Sequence, residues 1–253
     1  MERVGAWRLE DSGGWQPWLL RLGVLEFEPG IFHPAERVAI CVNALLLRGH
    51  GQTLLVDAGS GPADVLYPGA AALDEALALA GASRADVDAV VLTHLDFDHA
   101  GGVLDGEWGG ALTAAFPRVV LSEVEIDFWR AHPGGGTDVS QPILAAYETR
   151  LELAPDGAEF LPGLRLVSAP GHRAGHCVLP IGDGLVHAAD VMHCESHLEH
   201  PEWDSYFDAD PEQGIATRLA WPERLAEQGV QVVFSHFPTA GRIGPGRTWI
   251  PAW

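Results

Sequence analysis

The sequence predicts an α+β fold in which β-strands supply the scaffold and helices pack outside them. Three observations carry that expectation. Apolar runs of strand length recur along the chain, separated by turn residues; stretches rich in helix formers lie between them; and four of the strands run directly into a histidine or an aspartate.

Taken in order, "AICVNALLLRGHGQTLLVDAG" (39–59) reads as two strands joined by a Gly-His-Gly turn. "LDEALALAGAS" (73–83) is a helix that stops at a glycine, as a left-handed C-terminal cap requires. "DAVVLT" (88–93) is a buried strand, and "PRVVLSEVEIDFWRAH" (117–132) is a strand followed by a helix. The glycine-rich segment 132–142 reads as a flexible loop. The second half repeats the logic, with strands over 164–170, 184–190 and 230–236. In "DPEQ", Asp210 suits a helix N-cap, Pro211 the first helical position and Gln213 the reciprocal partner of a capping box. Arg218, two turns later, is expected to pair structurally with Asp208 or Asp210.

Composition narrows the function classes. A chain of 253 residues, 47% of them hydrophobic, can bury one large core, and residues 1–253 read as a single domain. Its formal charge is -20 and every one of its 15 basic residues is arginine, so no basic face awaits a phosphate backbone and nucleic acid is not an expected partner. Without lysine there is neither Schiff-base chemistry nor a P-loop, and no G-x-S-x-G elbow appears. The N-terminus lacks the apolar run of a secretion signal and no segment is long enough to span a bilayer, so a cytoplasmic protein without membrane contact is expected. Cys41, Cys177 and Cys194 form no C-x-x-C pair and read as small buried residues, Cys194 least securely. Trp15 and Trp18 read as core or lid anchors.

The chemistry is concentrated in "THLDFDHAGG" (93–102), where His94, Asp96, Asp98 and His99 offer four metal ligands within six residues. His172 in "APGHRAGH", Asp190 and His236 stand at three further strand ends. Loops from separate strands converge at the carboxyl edge of a sheet, so ligands distributed this way can meet at one place.

This pattern resembles the metallo-β-lactamase superfamily, whose motif is H-x-H-x-D-H, then a histidine in a Gly-His turn, a bridging aspartate and a final histidine. His94, Asp98 and His99 match the first motif, His172 the turn, Asp190 the bridge and His236 the last position. Asp96 stands where the family usually has histidine. The resemblance implies an αββα sandwich, two mixed β-sheets flanked by helices. It also implies two divalent metal ions, zinc first with manganese or iron as alternatives: His94, Asp96 and His172 on one, Asp98, His99 and His236 on the other, Asp190 spanning both. The activity implied is that of a metal-dependent hydrolase whose ions share a hydroxide that attacks a small ester, lactone or phosphotriester.

A narrower likeness, in "ADVMH", "HPEWDSYFDADPEQGIATR" and "SHFPTAGRI", is to the methyl parathion hydrolase and N-acyl homoserine lactonase branch. His193 falls where those lactonases carry a substrate-contacting tyrosine, so Asp98 and His193 are the candidate catalytic groups; support of a metal ligand is the other reading of His193. Strand alternation sends His187 to the face opposite Asp190 and gives it a structural role. His197 and His200 read as exposed loop residues, and His33, His50 and His132 have no partner visible in sequence. An aspartate at 96 leaves the site one positive charge poorer than a histidine would. A thioester hydrolase resembling glyoxalase II is disfavoured by the scarcity of basic residues, a di-iron redox protein by the lack of room for a flavin domain, and a non-catalytic metal-binding module by the seven ligands. The expected partner is a small-molecule substrate shaped by loops 28–36 and 132–142, with a homodimer left open.

Overall fold

Strand β1 (Gly5–Arg8) pairs antiparallel with β2 (Trp15–Phe27), β2 with β3 (Val38–Gly49), and β3 with β4 (Gln52–Val56). The hairpin expected over 39–59 is β3–β4. Its two-residue loop is His50 and Gly51, at φ of 49° and 76°, the positive values that let a tight turn follow the strand twist. His50 is held in that unusual conformation by Nε2, 2.8 Å from the Gly13 carbonyl. The computed structural model describes residues 3–62, 72–132, 139–203 and 205–253, so positions 133–138 of the expected glycine-rich loop lie outside the described residues.

Helix α1 (Leu73–Leu79) stops before Gly81, at φ 68°, and β5 (Ala89–Val91) then lies parallel to β4. A one-turn helix, α2 (Phe97–Ala100), carries the histidine- and aspartate-rich loop, and a small hairpin of β6 (Leu104–Gly106) and β7 (Leu112–Ala114) follows. Next come β8 (Val119–Ser122), parallel to β5, then α3 (Glu123–Ala131), α4 (Ser140–Ala146) and β9 (Leu151–Ala154), parallel to β8. These strands make a seven-stranded mixed sheet in the order β1-β2-β3-β4-β5-β8-β9.

The second sheet is built from β10 (Glu159–Leu161), β11 (Leu164–Arg165), β12 (Val167–Ser168), β13 (Cys177–Ile181), β14 (Leu185–Ala189), β15 (Gln231–Phe234), β16 (Gly241–Ile243) and β17 (Trp249–Pro251). Helices α5 (Ser196–Glu199) and α6 (Pro211–Gln228) form the crossover that brings β15 in parallel to β14. At the start of α6 the Asp210 side chain accepts from Gln213 N, as expected, but the Gln213 side chain turns to Thr217 and Asp210 N donates to Gly171 O. The capping box is therefore only half formed.

Strand alternation sorts the apolar side chains into three layers. Along β3, Ile40, Val42, Ala44 and Leu46 face outward onto Leu77 of α1, Ile126 of α3 and Ile143 of α4. Leu45 and Leu47 face inward and, with Leu54, Val56 and Val91, meet Leu179, Ile181, Leu185 and Val233 of the second sheet. On the far side, Trp221 and Leu225 of α6 cover Val186, Ala188, Val232 and Phe234. Helix, sheet, sheet, helix is the αββα order expected. All three cysteines are buried, as is Trp15, whose Nε1 donates to Pro162 O. Among the described residues no helix is long and apolar enough to cross a membrane.

Candidate metal centre

Strands β4, β5, β14 and β15 all end at the same edge of the sandwich, and each delivers polar side chains there. Asp57 follows β4, His94 follows β5, Asp190 follows β14 and His236 follows β15, while His172 comes from the turn between β12 and β13. The loop after β5 stays tight because of its glycines. A Cβ on Gly102 would lie 1.9 Å from Ala58 O, and one on Gly101 2.1 Å from Ser60 O, so the "AGG" after His99 lets α2 press against the chain leaving β4.

The side chains form two groups sharing one carboxylate. His94, Asp96 and His172 make one triad and Asp98, His99 and His236 another, with each triad's ligand atoms within 4.8 Å of one another. Asp190 lies between them: its Oδ1 is 3.3 Å from His99 Nε2, and its Oδ2 is 3.0 Å from His236 Nε2 and 3.5 Å from His172 Nε2. All seven residues singled out by the sequence thus meet at one place.

Each histidine is turned by its other nitrogen. His99 Nδ1 lies 2.9 Å from Asp57 Oδ2, His236 Nδ1 2.7 Å from Cys41 O, His172 Nδ1 3.4 Å from Asp208 Oδ1 and His94 Nδ1 3.0 Å from Thr93 Oγ1. Thr93 is itself fixed, donating its N–H and its hydroxyl to Asp57. Every Nε2 is thereby aimed at the common centre, the arrangement by which outer partners orient imidazole ligands. His94 Nε2, His99 Nε2 and Asp190 Oδ1 are buried without a hydrogen-bond partner. Buried polar atoms are rarely left unpaired, and these three converge. A set of imidazole nitrogens and carboxylate oxygens in this arrangement fits divalent cations.

The crowding shows in the electrostatics. Burial pushes the His94 imidazole well below its ordinary value, and neighbouring His99 adds to the effect. Burial opposes charge on His99 as well, yet Asp190 and Asp98 beside it hold it well above the ordinary value. His193 is buried and pushed down to about 3 by desolvation, so its imidazole is neutral. Its Nε2 stands 3.4 Å from Asp190 Oδ2, and its ring lies between Phe32 and His236, with centroids at 4.8 and 5.5 Å.

Several contributors carry no spacing that sequence reasoning could use. Asp57 and Thr93 act only through hydrogen bonds. His176 donates to Ala169 O through Nδ1 and accepts from Asp190 N through Nε2, which fixes the backbone of the shared carboxylate. Glu125 of α3 accepts from Leu95 N, Gly175 N and Trp129 Nε1, tying together the two loops that carry His94 and His172. Arg173 donates through Nε and Nη2 to the two carboxylate oxygens of Asp96, a cation beside the site that the sequence did not place there. His187 also departs from expectation. A bulge between His187 and Ala189, the latter at φ 45°, resets the alternation. His187 is fully buried, and that burial pushes its imidazole down to about 4 although Asp57 and Asp190 nearby favour the charged form. His197 is buried too, its Nε2 3.1 Å from Phe32 O, whereas His200 is exposed and stacked on Trp203. Arg218 pairs with Asp208, as expected, and not with Asp210.

A cleft opens over this centre. Its floor is Asp96, Asp98, His172, Asp190, His193 and His236, and its walls are Leu25, Phe27, Phe32, Ile40, Phe97 and Phe207. Residues 41–213 match the family model of the metallo-β-lactamase superfamily. The chain is 28% identical over 193 residues to probable metallo-hydrolases of Mycobacterium bovis and Mycobacterium tuberculosis, an alignment covering 64% of this chain. It spans about 60% of the length of these curated relatives. Among solved structures it is similar to AidC, a dizinc quorum-quenching lactonase, with a TM-score of 0.85 at 24% identity over 100% of this chain and 99% of that one. It is also similar to AbOPH, a hydrolase in the beta lactamase superfamily, with a TM-score of 0.84 at 23% identity and the same coverage. At that identity the likeness is one of fold.

Proposed function

The chain belongs to the metallo-β-lactamase superfamily, and on that premise we propose that residues 1–253 act as one catalytic domain, a metal-dependent hydrolase of a small, uncharged ester, lactone or phosphotriester. The observation that carries this reading is the set of inward-facing Nε2 atoms around Asp190, each fixed from outside by its Nδ1 partner. His94, Asp96 and His172 would hold one divalent ion, Asp98, His99 and His236 the other, and Asp190 both. Zinc is the ion proposed first, with manganese and iron as alternatives suited to the same nitrogen and oxygen donors. Two such ions supply Lewis-acid polarisation and lower the pKa of water toward neutrality.

The chain's own groups supply the rest. The Asp98 carboxylate lines the cleft and is proposed to hold the proton released by the attacking water and to return it to the departing oxygen. His193, neutral and bordering the same cleft, is proposed to donate a hydrogen bond to the oxygen on which negative charge develops. The apolar walls exclude water and favour an uncharged substrate with a hydrocarbon or aryl part. Among the described residues lining the cleft there is no arginine, and the chain has no lysine. A carrier thioester with an anionic arm would find no cation there, which disfavours the thioester reading. The lactonase similarity of the fold adds support to the lactone within the proposed class.

Metal analysis of protein purified without an affinity-tag metal, followed by a panel of lactones, aryl esters and phosphotriesters, tests the proposal. Two ions per chain and hydrolysis of at least one panel class are expected, and full activity after metal stripping would sink it. Replacing His193 with alanine is expected to lower kcat by about ten- to a hundred-fold while the ion count stays at the wild-type value, because its proposed partner is the substrate. Loss of an ion in that variant would instead make His193 a support of the metal ligands.

A further inference from the structure

Asp96 occupies the position at which a histidine was expected from the family pattern, and the structure gives it a partner. Arg173 Nε donates to Asp96 Oδ1 and Nη2 to Asp96 Oδ2, both at 2.6 Å, a two-pronged pairing of guanidinium and carboxylate. The remaining nitrogen, Nη1, is spent on backbone, donating to His172 O at 2.8 Å and Phe207 O at 2.5 Å. Both side chains are largely buried, at 18% and 13% exposure. Of the two carboxylate oxygens, Oδ2 is the one that reaches the histidines, 3.2 Å from His172 Nε2 and 3.8 Å from His94 Nε2.

We propose that Asp96 and Arg173 form one functional unit, a charge-neutral oxygen ligand that stands in for an imidazole. The inference rests on the metal centre proposed above and specifies how that centre tolerates an aspartate. A lone aspartate would add a negative charge to the centre; the guanidinium cancels it, so the pair contributes no net charge, as a neutral histidine would. The fork also fixes the carboxylate plane, leaving the spare lone pair of Oδ2 toward His94 and His172. Glu125 also favours the Arg173 charge from nearby, but its oxygens accept from three N–H donors and the guanidinium fork is made to Asp96. The two residues are therefore coupled, and neither can be exchanged alone without misbalancing the charge.

The test is a double-mutant cycle of Asp96→His, Arg173→Gln and the double variant, read as ions per chain and as zinc affinity by competition with a chromophoric chelator. Asp96→His alone leaves a guanidinium beside a divalent ion without its counter-charge, and the weaker-bound ion is expected to lose roughly ten-fold or more in affinity. Adding Arg173→Gln should recover most of that loss. Arg173→Gln alone should keep both ions, lower the melting temperature of the metal-free protein and widen the stabilisation gained on adding zinc, because Asp96 is then compensated only by metal. These melting temperatures decide the matter should Asp96→His not fold: an unchanged metal-free value in Arg173→Gln overturns the pairing. A cycle with independent, additive effects on zinc affinity overturns it too, while two ions in the wild-type chain leave the metal centre standing. A wild-type chain that takes up no ion overturns both.

Discussion

Asp190→Ala is expected to strip both ions from the chain and to lower kcat/KM by on the order of a thousand-fold or more. The reason is that a single carboxylate serves both halves of the centre. Its Oδ1 faces His99 and its Oδ2 faces His172, His193 and His236, all within 3.5 Å. Without it, four imidazoles converge on a buried space with no central anion, and cations bound there would be held chiefly by neutral donors. The backbone at 190 has its own anchor in His176 Nε2, so the alanine variant should keep the fold. His99→Ala removes one of the proposed ligands of one triad and should cost one ion before the other. His50→Ala is the control: its ring touches the Gly13 carbonyl and the Trp15 ring and none of the residues of the centre, so metal content and turnover should stay close to wild type. Ion counts by mass spectrometry, kcat/KM on the best panel substrate and melting curves of the stripped proteins make the comparison. Two retained ions in Asp190→Ala, with activity within about ten-fold of wild type, would sink the assignment of Asp190 as the shared ligand.

What the sequence makes legible is the part of the centre that depends on chain geometry. A strand that ends in a ligand can be recognised by its apolar run, and strands of one sheet deliver their ends to one edge; His94, Asp190 and His236 follow from that alone. The groups that turn those ligands do not. Asp57 lies 42 residues from His99 and Asp208 lies 36 from His172; each acts through hydrogen bonds alone, and nothing in spacing or composition marks such a pair. Arg173 was in plain view beside His172, but whether an arginine faces solvent or a carboxylate is a matter of rotamer and neighbour. Strand β2 shows a different obstacle. Its middle is buried on both faces, so "WLLRLGVL" carries no alternation, and a register shift between Arg21 and Gly23 interrupts its pairing with β3. The alternation expected around His187 fails for a related reason, since one bulge at Ala189 overrides the parity of the strand.

Arg218→Met should give the largest loss of stability among changes outside the ligand set, about 3–5 kcal/mol. Arg218 is 1% exposed on α6, and its Nη1 donates to Asp208 Oδ2 at 2.7 Å, while Nε reaches Pro201 O at 3.3 Å. Asp208 in turn stands 3.4 Å from His172 Nδ1. Burial works against charge on Asp208, but the hydrogen bond from His172 and the charge of Arg218 overcome it and hold the carboxyl well below the usual carboxylate range. A methionine fills much of the arginine's volume yet leaves that carboxylate buried without its counter-ion, and this desolvated charge is the main source of the loss. Helix α6 packs so closely here that a Cβ at Gly214 would come within 2.7 Å of Asp208 Oδ2, so there is little room for water to enter and solvate it. Pairing Arg218→Met with Asp208→Asn removes both charges and should restore most of the stability, since a buried pair deleted whole costs far less than one deleted by half. The double variant should nevertheless bind its weaker ion about 10- to 100-fold less tightly, because His172 loses the carboxylate that orients its ring. Urea denaturation of the metal-free proteins and chelator competition separate the two effects. If Arg218→Met unfolds at the wild-type urea midpoint, the buried pair is not holding α6 to the site.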